Sequence, residues 1–263
     1  TKRFYLPLKF WFNKNEGQYL PLLALFRHET TLIFDFATEI EVIGDNSNIT
    51  SISMTPKLYG EFYYLDKNEK TRFTQSNHEY IIEQQQLNNR SREIVTTSNE
   101  TNQELSQMNI DLNFNHPVKY IVWVIVNEGT RGNNKGRGPC YFTALTENSL
   151  YGNDGKSGTV ELFLEGVTRE IEQPMTYYTR VHPLNVLKKI PMLDRIGFYS
   201  FALNPLDSEP SGTCNFSKLF DKTLKVKFAN NSYSIISGKD LYIYAVNYNI
   251  LTITNGMAQV RYS

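Results

Sequence analysis

Residues 108–115 read MNIDLNFN. Met108, Ile110, Leu112 and Phe114 fall on one parity, and Asn109, Asp111, Asn113 and Asn115 on the other. An extended strand points successive side chains to opposite faces, so this stretch predicts a strand with one face in a core and one in water. Wound as a helix, the same residues would scatter their apolar groups around the axis. The period of two returns in TLIFDF (31–36), with Leu32, Phe34 and Phe36 in phase. It returns again in TLKVKF (223–228), where Leu224, Val226 and Phe228 alternate with Lys225 and Lys227. YIVWVIV (120–126), GFYSFAL (197–203) and DLYIYAV (240–246) are rich in aromatic and β-branched residues and read as strands buried on both faces. At least nine strand candidates emerge along the chain.

Only DKNEKTRFTQSN (66–77) argues for a helix, with Asp66 as N-cap and Glu69 at the capping-box spacing. It separates a first block of strands, about 4–65, from a second, about 78–263, and is read as a short helical connector. Segments 88–103, 127–139 and 146–158 carry the Gly, Asn, Ser and Pro of surface loops. No fixed-period repeat of the solenoid or propeller kind is present. Many strands joined by unequal loops, with almost no helix, predict an all-β fold built as an antiparallel sandwich of the jelly-roll type.

The chain of 263 residues is 40% hydrophobic and 13% aromatic, enough to bury a substantial core. Lys plus Arg equals Asp plus Glu at 27 each, so no overall field draws in nucleic acid or an anionic membrane, and direct nucleic-acid binding is not expected. The longest uninterrupted apolar run, Tyr120 to Val126, is far shorter than the ~20 residues of a membrane-spanning helix. Cys140 and Cys214 have no metal spacing and cannot form a disulfide framework, so they read as free buried thiols of a reducing compartment.

The search for chemistry is negative. GNDGKSG (152–158) offers Lys156 and Ser157 as a phosphate loop would, but Leu150 stands where the earlier glycine belongs and a strand-like segment follows in place of a helix. The four histidines, His28, His78, His116 and His182, are scattered and lack the His-x-His of a cupin-type metal site. His116, just before Pro117, reads as a hydrogen-bonded structural residue. Cys214 has no neighbouring base in sequence to lower its pKa, and its segment reads as a turn. Glu170 with Glu172, and Asp207 with Glu209, are paired carboxylates on segments that read as solvated loops. Asn48, Asn89, Asn99, Asn215 and Asn230 head Asn-x-Ser/Thr triplets, which an Asn-rich chain yields by chance. Arg131, Lys135 and Arg137 share a glycine-rich loop without aromatics to stack bases. No catalytic, cofactor-binding or metal-ligating residue is assigned, no cofactor is expected, and the chain does not read as an enzyme.

The strand-bearing segments themselves carry a resemblance. In order they are RFYLPLKFWFNKNEGQYLPLLAL, HETTLIFDF, FYYLDKNEKTRFTQSNHEYIIEQ, LNFNHPVKYIVW, YSFALNPLDSEPSGTCNFSKL and YAVNYNILTITNGMAQVRYS. Together they closely resemble the major capsid protein of the nucleocytoplasmic large DNA viruses. The likeness departs at Met257-Ala258-Gln259-Val260-Arg261, where the family has a glycine-richer ending, and in the loops between 128 and 158. It implies a double jelly roll, two eight-stranded sandwiches in one chain. Residues 1–65 would be the closing strands of the first, 66–77 the connector and 78–263 the complete second. The chain would then be the C-terminal portion of a longer subunit. The same likeness implies homotrimeric, pseudo-hexameric capsomers tiling an icosahedral virion shell. Expected partners are neighbouring capsomers, minor capsid and penton proteins and an internal viral membrane, with assembly in the host cytoplasm. Two other functions fit a motif-poor sandwich: a capsid-like scaffold protein of viral membrane assembly, and a carbohydrate-binding β-sandwich.

Overall fold

The structure is a computed structural model that describes residues 3–36, 55–91, 95–98, 104–127, 158–190, 196–227 and 239–262. The alternation of 108–115 is realised: Ile110, Leu112 and Phe114 are buried while Asn109, Asp111, Asn113 and Asn115 are exposed. The hydrogen-bonded strand is shifted, however, running as β3 over Glu104–Asp111. Around it lie β1 (His78–Ser91), β2 (Val95–Ser98), β4 (Pro117–Asn127), β5 (Thr159–Leu164) and β6 (Val167–Pro174). They are followed by β7 (Ile196–Ser200), β8 (Cys214–Asn215), β9 (Lys222–Lys227), β10 (Lys239–Thr254) and β11 (Met257–Val260).

Two antiparallel sheets result. One has the order β1-β10-β4-β7, with β11 added to β10 and β8 to β4, and the other runs β2-β3-β9-β5-β6. Strands consecutive in the chain repeatedly change sheet, from β1 to β3, back to β4, across to β5 and β6, back to β7, across to β9 and back to β10. That winding is the double Greek key of a jelly roll. The inner faces meet in one apolar cluster that includes Ile110, Phe114, Ile121, Trp123, Leu162, Tyr178, Phe216, Leu224 and Ile243. Trp123 on β4 faces Gly197 on β7 in register. A Cβ on Gly197 would lie 2.1 Å from the indole Cε2, so only glycine lets the ring lie flat across β7.

Several local expectations are met and others corrected. The helix α1 covers Lys67–Gln75, and the Asp66 side chain accepts the Glu69 N–H at 2.8 Å. In GFYSFAL the strand runs only to Ser200 and one further backbone bond follows, from the Phe201 N–H to the Lys119 carbonyl; the Ser200 hydroxyl turns onto the Ala202 backbone and Leu203 stands in solvent. The supposed loop 88–103 contains the end of β1 and all of β2, because pairing is a backbone property and β2 needs only β3 as partner. A second helical segment appears where none was expected: a π-helical turn Tyr177–Val181 runs into α2 (His182–Leu187), which has Pro183 in its first turn and Lys188 left-handed (φ 56) at its end. TLIFDF forms no strand. Residues 31–36 have no regular secondary structure, and Leu32, Phe34 and Phe36 are exposed, with no ladder among the described residues on this segment.

The described residues fall into two compact units: residues 3–35, 55–84 and 248–262 in one, and the remainder of 85–247 in the other. In the first unit Ala24, Leu25 and Ile253 form a small buried cluster flanked by Leu20, Tyr80, Leu251 and Ala258. The Arg27 N–H donates to the Gly256 carbonyl at 3.0 Å, so residues 20–28 dock on the β10–β11 hairpin. The second unit holds the main core described above.

Candidate functional site

Titratable side chains converge where β6, the helical segment 177–187 and β7 meet. Burial raises Tyr178 and Tyr199 above the ordinary phenol range, and Glu170 nearby adds to it. Burial lowers the His182 imidazole. Three of these groups have structural partners. Tyr178 Oη donates to the Val160 carbonyl at 3.2 Å, Tyr199 Oη lies 3.5 Å from Glu170 Oε2, and His182 Nε2 accepts the Ser200 N–H at 3.1 Å. The rings pack in series: Trp123 meets Tyr178 edge-on at 5.3 Å and His182 stacks on Tyr199 at 5.0 Å. Cys214 is half-buried and its thiol is pushed up by burial, the opposite of what a nucleophile requires. The cluster staples helix to sheet and holds no nucleophile poised against a free base.

The other residues singled out in the sequence are dispersed. His28 Nδ1 accepts the Ala258 N–H at 3.1 Å, and His78 Nε2 lies 2.8 Å from the Phe73 carbonyl. His116 takes a left-handed conformation (φ 67) at the mouth of β4, its N–H donating to Ser217 Oγ at 2.8 Å. Among the described residues no three His, Cys, Asp or Glu side chains are placed to hold a metal ion. Glu172 pairs with Lys227 and accepts from Thr159 Oγ1 at 2.6 Å, which holds its carboxyl below the usual range. Asp207 offers its backbone carbonyl to the buried Lys119 ammonium at 3.3 Å, fixing the root of the 201–213 loop. The Asn215 side chain accepts the Ser217 N–H at 3.1 Å and so caps a short turn. Cys140, Lys156, Ser157, Arg131, Lys135, Arg137, Asn48, Asn99 and Asn230 lie outside the described residues.

The described residues also present apolar surface. In the smaller unit Phe4, Tyr5, Leu6, Ile33, Tyr59 and Tyr64 stand in solvent, Tyr64 at 89% exposure. In the larger unit Phe220 is 96% exposed on the turn before β9, and Leu203 and Leu206 project from the loop after β7. Exposed side chains of this size and number are a mark of contact surfaces. Among the described residues no helix is long and apolar enough to cross a membrane.

Comparison with known proteins agrees with this picture. The family model for the large eukaryotic DNA virus major capsid protein matches residues 69–259, and that for the major capsid protein N-terminus matches residues 1–66. The major capsid protein of Paramecium bursaria Chlorella virus 1 is 32% identical, with all of this chain and 67% of that protein covered. That of Pyramimonas orientalis virus is 31% identical, with all of this chain and 62% of the relative covered, so the chain spans about two thirds of these relatives' length. The solved PBCV-1 VP54 capsid structure superposes with a TM-score of 0.67 at 27% identity, covering 100% of this chain and 71% of that one. A jelly-roll winding, exposed apolar faces and two adjoining family matches lead to one conclusion: this chain belongs to the large eukaryotic DNA virus major capsid protein family.

Proposed function

We propose that this chain is a structural part of an icosahedral virion shell, built into pseudo-hexameric capsomers of three copies, and that it performs no catalysis. The observation that carries the reading is the pair of family matches, 1–66 and 69–259, which meet at α1 and together take in nearly the whole chain. The same junction supports the division into 1–65 as closing strands of a first jelly roll, 66–77 as connector and 78–263 as the second. All eleven strands of the described residues lie within the last of these. The exposed aromatics of residues 4–6 and 58–64 are the faces such closing strands would turn toward partner strands. Three like subunits in a closed ring use heterologous contacts, for which the patches around Phe220 and Leu203 supply apolar surface. Neighbouring capsomers, minor capsid and penton proteins and an internal membrane are the further partners of this reading, and the host cytoplasm its place of assembly.

Light scattering of the subunit tests the assembly. A trimer mass at micromolar concentration is expected, and a monomer mass that does not rise with concentration overturns the capsomer. The absence of catalysis is tested by melting: neither excess chelator nor millimolar ATP is expected to shift Tm. A rise of several degrees with ATP, or a fall of several degrees with chelator, overturns it.

A further inference from the structure

Among the described residues β7 ends its sheet, bonded to β4 on one side only. Tyr120 and Ser200 are directly opposite, and the ladder bond beside them runs from the Phe201 N–H to the Lys119 carbonyl at 3.0 Å. In an antiparallel pair this makes Tyr120–Ser200 a non-hydrogen-bonded position, so the Ser200 N–H points away from β4 toward the open edge. His182 Nε2 meets it there at 3.1 Å. A backbone N–H only donates, so the imidazole must be neutral with its proton on Nδ1. An unpaired edge N–H is a template for another strand, and here one side chain occupies it.

The surroundings leave an imidazolium poorly served. The helical segment packs against β6 and β7. From β7 the Tyr199 ring stacks on the imidazole at 5.0 Å and the Phe198 ring lies 5.9 Å away. From its own segment Tyr177 lies 5.8 Å away, and Arg180 adds a positive charge. From β6, Glu170 acts on Tyr177, Tyr178 and Tyr199, and Arg169 on Tyr199. The Glu170 carboxylate faces the Tyr199 hydroxyl at 3.5 Å. We infer that His182 is an acid-labile cap on the edge of β7: a proton taken from solvent onto Nε2 sets two donors against each other, expels the Ser200 N–H, and loosens residues 177–187 from the strand. Burial lowers the imidazole pKa, so its contribution to stability is complete above the ordinary value of 6.5 and is lost as pH falls below it.

The test is hydrogen exchange by mass spectrometry on the dilute chain at pH 7.5 and 5.5, corrected for intrinsic rates, reading peptides over 177–187 and 197–203. In the wild type, protection of both segments is expected to fall about tenfold at the lower pH. In His182→Gln, whose amide oxygen accepts at any pH, the fall is expected to disappear. In His182→Phe, which keeps the stacked ring and loses the acceptor, protection is expected to be low at both values. Equal wild-type protection at the two pH values, or a parallel fall in His182→Gln, overturns the inference. A proton NMR titration of the wild type reads the same event without a variant. The His182 ring and the Ser200 amide are expected to shift with one midpoint below 6.5, and unrelated midpoints overturn it.

Discussion

Residues 31–36 and 222–227 follow the same alternating pattern and end in opposite environments. In β9, Leu224 faces Ile110 of β3 on one side and Leu162 of β5 on the other, and its exposure is 1%. In TLIFDF, Leu32 is 41% exposed and no strand among the described residues flanks it. The difference does not lie in the apolar pattern, since Leu32, Phe34 and Phe36 alternate just as Leu224 and Val226 do. Alternation decides which side chains share a face, while burial is conferred by strands on either side. The apolar content of a segment becomes stability only in proportion to the neighbours that cover it.

The largest effect that sharpens this contrast is the paired truncation of the two leucines. Leu224→Ala is expected to cost about 2–5 kcal/mol in urea unfolding of the sandwich, and Leu32→Ala less than about 1. Equal costs would break the comparison by showing that 31–36 is covered after all. Next comes Gly197→Ala, which adds a methyl group to the covered region, in the space already taken by the Trp123 indole. A loss of about 1–3 kcal/mol is expected, with a change in tryptophan fluorescence as the ring is pushed aside. The smallest effect belongs to the surface of the sheet that holds Leu224. Glu172 is held ionised by Lys227 and Thr159, so its contribution is present above the ordinary carboxylate value of 4.5 and is lost as pH falls below it. Its side chain is 40% exposed, which limits the contribution to less than about 1 kcal/mol. Glu172→Gln is therefore expected to lower Tm slightly at pH 7 and not at pH 3.

The strands β3, β4, β7, β9 and β10 were legible because each has either strict alternation or a dense β-branched and aromatic run, and α1 because Asp66 and Glu69 announce its start. β11 carries a signal too: Asn255-Gly256 takes positive φ at both positions, the turn that closes a two-residue hairpin. The helical segment 177–187 was not legible. It is short, its first turn is π rather than α, and its aromatics are fixed by what lies beneath them in the tertiary fold. The same applies to the site. That Gly197 floors an indole, or that His182 caps Ser200, depends on register and on packing between segments far apart in the chain. For Cys214 and Glu172, the burial that raises the thiol and the Lys227 and Thr159 contacts that lower the carboxyl come from strands distant in the chain, which residue spacing does not carry.

β10 lies between β1 and β4 in its sheet, although β1 begins at His78 and β10 only at Lys239. The central plank of the sheet is thus the last of its long strands to leave the ribosome. At ~5–20 residues per second, the roughly 160 residues between these two starts take on the order of 10 s to synthesise. For most of that interval β1, and from Asn127 onward β4 as well, wait with an inner edge open, and the most sequence-distant pairing in the sandwich is the one that completes it. The nascent chain therefore has a long exposed adolescence, and its yield in a cell should respond more to the chaperones present during translation than to the stability of the finished sandwich.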